Sequence, residues 1–157
     1  MQLISIIAAF LTLALAALAA TPSIREPADG TIVNPGTTFD FSYQSIADYG
    51  ASSYNYTVWL FTSPPTTFVP FSNYAAGYYF GRYAEPNYPG NPNPRNLPPK
   101  QLTMPNFAVL EKGFGTGSNV HNATFFLTIL EEYGTGDASV GYRISLVYNH
   151  IRYNVTL

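Results

Sequence analysis

Cysteine is absent from this 157-residue chain and charge is scarce: Asp, Glu, Lys and Arg make up 10% of it, with a formal net charge of -2. Without cysteine no disulfide can staple the fold, and structural zinc of the cysteine-rich kind is excluded. Lys and Arg number 7 and form no run. The basic footprint that nucleic-acid binding needs is therefore missing. Histidine occurs twice, at His121 and His150, with no coordinating cluster beside either; both read as surface residues at a strand start and a turn.

Enzyme signatures are also missing. There is no Gly-x-Ser-x-Gly elbow and no phosphate-binding glycine loop. Gly113 to Asn119, "GFGTGSN", is glycine-rich but lies between strand-like segments, so it reads as a turn. Glu131-Glu132 is the only adjacent carboxylate pair. Neighbouring strand residues point to opposite faces, so these two cannot flank one glycosidic bond. They read as a solvated strand end that discourages edge pairing. The sequence predicts a protein that is no enzyme, with no cofactor and no metal.

What is abundant is aromatic: Tyr 13, Phe 11, Trp 1, set among Pro 13 and Gly 12. The chain opens with an uncharged apolar stretch, Leu3 to Leu18, ending in an Ala17-Leu18-Ala19 cleavage pattern. This predicts a secretory signal peptide over 1–19 and one domain over 20–157. The expected product is an extracellular protein, free of the membrane after cleavage. Three sequons, at Asn55, Asn122 and Asn154, are glycosylation candidates on such a route.

Strand patterns recur with turns between them. Ala28-Asp29-Gly30 and Asn34-Pro35-Gly36 read as turns, and Thr37–Tyr43 alternates Phe39, Phe41 and Tyr43 against Thr38, Asp40 and Ser42. In Tyr54–Phe61, Tyr54, Tyr56, Val58 and Leu60 share a face opposite Asn55, Thr57 and Trp59. Lys100 to Glu111 reads as two short strands split by Pro105. Val120 to Tyr133 places Ala123, Phe125, Leu127 and Ile129 on one face, with helix as the competing reading for its second half. Two alternating segments end the chain, with Asn149-His150 as a hairpin turn or bulge between them. About seven to nine short strands predict an all-β, single-domain antiparallel sandwich, immunoglobulin-like or fibronectin-like.

Two neighbouring segments stand out as a candidate site. Tyr74 to Tyr83, "YAAGYYFGRY", carries five aromatic rings. As a regular strand it would present Tyr79 and Tyr83 together, with Arg82 beside them, as a small aromatic platform. Trp59 is a further candidate for stacking on sugars. Ala84 to Lys100 follows, rich in Pro and Asn. It reads either as a preorganised binding loop using Arg95 and Lys100 or as a cover for a sheet edge.

The order of these segments resembles a known family. Ile24-x-x-Pro27, "NPGTTFDFSY", "GYYFGRY", the Pro/Asn loop, "FFLTILEEYG" and a terminal "YNVTL" are similar to the pattern of the fungal necrosis-inducing secreted proteins, a family of small secreted effectors. The resemblance implies a cysteine-poor β-sandwich that acts without catalysis, binding extracellular protein such as a plant host receptor kinase. This chain departs from the pattern in its longer Pro/Asn insertion and its richer tyrosine content. "IREPADGTIVNPGTTFDFSY" also resembles the start of the immunoglobulin-like fungal cell-wall glucan-synthesis module. The expected function is thus that of a secreted, effector-like fungal binding protein. The alternative is a carbohydrate or cell-wall binding module built on Tyr79, Tyr83 and Trp59. A purely structural wall protein would need no site.

Overall fold

The computed structural model describes residues 21–45, 47–48, 51–65, 77–86, 93–109, 120–135 and 142–154. The expected signal peptide, Tyr74, the middle of the Pro/Asn loop, the glycine-rich turn over 113–119 and the last two residues of the third sequon lie outside them.

The described residues form ten strands and no helix. These are β1 (Ser23–Glu26), β2 (Thr31–Val33), β3 (Thr38–Asp40), β4 (Ser42–Gln44), β5 (Ala47–Asp48), β6 (Ala51–Phe61), β7 (Gly77–Ala84), β8 (Gln101–Thr103), β9 (Ala123–Thr135) and β10 (Tyr142–Tyr153). One sheet runs β2-β10-β9-β6-β5, with β7 also paired to β6. All of its pairings are antiparallel except β2 with β10. Two antiparallel ribbons, β1-β4 and β3-β8, make the second layer. The fold is therefore an all-β antiparallel sandwich, as the recurring short strands predict.

The core lies between the layers. Tyr56, Val58 and Leu60 of β6, Phe125, Leu127 and Ile129 of β9, and Ile151 and Tyr153 of β10 pack against Ile24, Phe39, Phe41, Leu102, Met104 and Phe107. The alternation of apolar and polar residues in β6 and β9 sets which face is buried. Without a disulfide, aromatic packing ties the layers. Phe107 stacks on Phe125 with centroids 4.4 Å apart, and Tyr153 meets both rings edge-on.

The structure corrects several sequence expectations. The run Thr37–Tyr43 keeps its alternation but breaks into β3 and β4 at Phe41, whose N–H donates to Lys100 O at 2.8 Å. The chain changes partners there, from β8 to β1. Asn106 to Glu111 was expected to be extended; in its described part, Asn106 Oδ1 accepts from Ala108 N and Asn106 O from Val109 N, which closes a turn. The Asn149-His150 turn does not form, because β10 is continuous. Instead Asn149 donates its amide to Ile24 O and Pro27 O. Asp29 Oδ1 accepts from His150 N at 2.6 Å and lies 2.8 Å from its Nδ1. Those hydrogen bonds hold the Asp29 carboxyl below its usual pKa.

Glu131 is the largest departure. It was expected in solvent, yet it is 0% exposed. β9 runs on to Thr135, so Glu131 stays in step with Phe125, Leu127 and Ile129 on the inner face. Glu132 takes the outer face, as strand alternation requires.

Candidate functional site

The outer face of the large sheet carries a belt of rings. Trp59 projects from β6 and Tyr79 from β7, paired across the strands, with ring centroids 4.6 Å apart. Phe61 lies 5.6 Å from Trp59 in a nearly parallel stack. On the same face, Phe126 of β9 meets Tyr148 and His150 of β10 at 5.6 and 5.2 Å. The register Trp59↔Thr128↔Tyr148 joins the two groups through Thr128, which is fully buried. Trp59 and Tyr148 thus stand two strand spacings apart, about 10 Å. Tyr79 is 41% exposed, and the indole N–H of Trp59 is buried with no partner among the described residues. At Trp59 the belt therefore offers the ring face and not the N–H.

One end of the belt is polar. Arg82 grips Glu132 through two hydrogen bonds, at 2.8 and 2.6 Å. This fork, with a smaller contribution from the Tyr54 hydroxyl, holds the Glu132 carboxyl below its usual pKa, and the same hydrogen bond raises that of Arg82. Tyr54 was expected on the inner face. A bulge between Ser53 and Asn55 breaks the regular alternation, and Tyr54 reaches Glu132 instead. Beyond the fork, Leu130, Leu146 and Ile144 make the surface aliphatic, with Ile144 58% exposed.

The expected pairing of Tyr79 with Tyr83 does not occur. β7 bulges at Phe80: Val58 pairs with Gly81 and Trp59 with Tyr79, leaving Phe80 between them. The bulge reverses the alternation, so Tyr79 and Arg82 face outward while Phe80 and Tyr83 pack on the core. Tyr83 folds back over Gly81 and donates its hydroxyl to Phe80 O at 3.2 Å. A Cβ at Gly81 would come within 2.7 Å of the Tyr83 hydroxyl oxygen. Glycine at this position is what lets the ring lie there.

A second feature sits on the other side of the sheet. Tyr83, Tyr56, Glu131 and Ser145 form one cross-strand row on the inner face. Ser145 donates to Glu131 at 3.1 Å, and Tyr43 packs on Tyr56 with centroids 5.0 Å apart. Burial raises the pKa of Tyr43 and Tyr56, and nearby carboxylates raise it further: chiefly Glu131 for Tyr43 and Glu85 for Tyr56. Burial likewise raises that of Tyr83. Beside this row opens a cavity of about 220 Å³, lined by Phe41, Tyr43, Tyr56, Glu85, Pro98 and Lys100 among others.

The described part of the Pro/Asn loop covers a strand end and borders the cavity. Asn96 O accepts from Ala84 N at 3.0 Å, and the Asn96 amide donates to Arg82 O, so the returning segment covers the end of β7. Pro98, Pro99 and Lys100 wall the cavity, whereas Arg95 is exposed and outside it. Among the described residues no group of three His, Cys, Asp or Glu is placed to hold a metal ion.

The three sequon asparagines differ. Asn55 lies on β6 next to Arg82; in the orientation that satisfies both partners, its amide donates to Tyr54 O and accepts from Arg82. Asn122 is exposed. Asn154 donates its amide to Val120 O at 2.8 Å and lies 2.8 Å from His121 Nδ1, so both amide hydrogens are engaged. A sugar would replace one of them. In a eukaryotic secretory host, glycopeptide mass spectrometry should find higher occupancy at Asn122 than at Asn154. Full occupancy at Asn154 would contradict this placement.

The sequence singled out Trp59 and Tyr79, which the structure brings together; it passed over Phe61, which follows Trp59 by two residues on β6, and Phe126 and Tyr148, which join them only through sheet register. It also missed Glu85 and Glu131, though the two-residue period through Phe125, Leu127 and Ile129 extends to Glu131. No family model and no curated protein matches the chain.

Proposed function

We propose that this chain is a secreted, non-catalytic fungal binding protein whose outer sheet face docks on cell-wall polysaccharide. The observation that carries the reading is the belt Tyr79-Trp59-Tyr148 with Phe61 and Phe126 beside it. Aromatic stations about 10 Å apart match the length of one disaccharide unit in an extended β-linked glycan. Sugars present C–H faces that stack on such rings. The strand order β10-β9-β6-β7, with β1, β3, β4 and β8 opposite, is compatible with a variable-type immunoglobulin sandwich. That architecture leaves such a face available for binding.

An effector-like protein partner is the second reading. It is favoured by Ile144, Leu146 and Leu130 beside the Arg82–Glu132 fork, since an apolar patch with an Arg at its edge suits the more apolar centre of a protein interface. The two readings separate along the face. A pull-down of the mature protein on insoluble chitin, β-glucan and cellulose should show saturable binding to at least one polymer. Tyr79→Ala should weaken it by about tenfold, the loss of one stacking ring, while Ile144→Asp leaves it unchanged. Retention on no polymer would favour the protein partner instead, and loss on Ile144→Asp alone would place the polymer on the aliphatic patch and overturn the belt reading.

A further inference from the structure

The cavity beneath the Pro/Asn loop is separate from the outer belt and lies on the opposite side of the sheet. Its wall contains Glu85, which is 7% exposed, together with Phe41, Tyr43 and Tyr56. Pro86, Pro98 and Pro99 complete it and limit its freedom to rearrange. Lys100 is the only cation among its lining residues, and it is exposed. Behind the two tyrosines stands the buried carboxylate of Glu131. The field at the cavity thus includes two carboxylates in poorly solvated positions, each of which also has other partners, with one solvent-screened ammonium among the lining residues. An anion would be repelled there. A neutral group would gain nothing from the field. A cation would gain from it and from the faces of the aromatic rings.

We propose that this cavity binds a primary ammonium group, carried by a small aliphatic amine or by an amino sugar. Glu85 is the charge partner. Phe41, Tyr43 and Tyr56 are the aromatic walls, and the space of about 220 Å³ takes a four-carbon diamine or a single hexose ring. The ammonium, unlike a metal ion, needs no set of three hard ligands, which fits the absence of such a set among the described residues. Lys100 at the opening works against the ligand, since it carries the same charge.

Isothermal titration calorimetry at neutral pH and low salt tests this with 1,4-diaminobutane and glucosamine. Butane-1,4-diol and glucose serve as their neutral counterparts. At least one amine is expected to bind saturably, about tenfold or more tighter than its neutral counterpart, the scale of a desolvated charge pair. Binding of the diamine alone assigns an aliphatic ammonium; binding of glucosamine assigns an amino sugar. Glu85→Gln should abolish the preference for the amine over its neutral counterpart. Lys100→Met should tighten amine binding about twofold, through removal of a screened like charge, and it keeps the test open if Glu85→Gln fails to fold. The proposal is overturned if neither amine outbinds its neutral counterpart, if folded Glu85→Gln keeps the preference, or if Lys100→Met weakens binding. None of these results depends on polymer binding by the outer belt, so either site can fail without the other.

Discussion

Tyr153→Ala is expected to lower the free energy of unfolding by about 4 kcal/mol, the usual scale for removing a large aromatic side chain from a core. The ring is 1% exposed and meets Phe107 and Phe125 edge-on at 4.8 and 5.3 Å. Its hydroxyl also accepts a hydrogen bond from Phe107 N at 3.1 Å. Truncation opens a cavity between the end of β10 and the turn at Phe107, and it orphans a buried N–H. Tyr153→Phe keeps the rings and loses the hydroxyl, including the acceptor for Phe107 N, so about 1–2 kcal/mol is expected. Urea denaturation of the two variants separates packing from hydrogen bonding. A domain of this size has about 5–15 kcal/mol in total, and this chain has no disulfide to make up the loss. An alanine variant no less stable than the phenylalanine variant would show that the aromatic cluster does not hold the layers together.

Alkaline pH should be equally disruptive. Burial, reinforced by Glu131 and Glu85, raises the pKa of Tyr43 and Tyr56 in the folded state. In the unfolded chain both phenols titrate near their ordinary value of about 10. The neutral form is the one the fold favours, so their stabilisation is complete below that value and is lost as pH rises above it towards the raised folded values. Unfolding then releases about two more protons than the folded state has lost. Stability should fall by roughly 3 kcal/mol per pH unit above about pH 10. Phenolate absorbance should show the exposed tyrosines ionising smoothly and a cooperative second step coinciding with loss of the β-sheet signal. A single smooth titration with the fold intact would mean that these hydroxyls are open to solvent.

The fold was legible in the sequence where alternation is regular. Phe125, Leu127 and Ile129 in β9, and Tyr56, Val58 and Leu60 in β6, lie buried on the face their spacing assigns. Legibility ended where an extra residue enters a strand. The bulge at Phe80 turned Tyr83 inward and brought Arg82 out, and the one between Ser53 and Asn55 redirected Tyr54. A bulge depends on what the neighbouring strand does, and "GYYFGRY" holds no local sign of it beyond Gly81. Glu131 was misread for a different reason. Its charge argued for solvent, while its register placed it beside Tyr56 and Ser145 on the inner face. The candidate site was legible only in part. Trp59 and Tyr79 are close in the pattern, but Phe126 and Tyr148 come to their face from more than forty residues further along the chain, and only sheet order brings them there.

Trp59 is the sole tryptophan of the chain and stands in the middle of the outer belt. Its fluorescence therefore reports on that face directly. The most direct test is to titrate the mature protein with soluble β-linked glucan and chitin oligosaccharides while following Trp59 emission. A saturable change in intensity or wavelength with at least one oligosaccharide, greatly weakened by Tyr79→Ala and kept in Lys100→Met, is the predicted result. Emission that stays constant while the same oligosaccharide is shown by calorimetry to bind would place the sugar elsewhere and contradict the account.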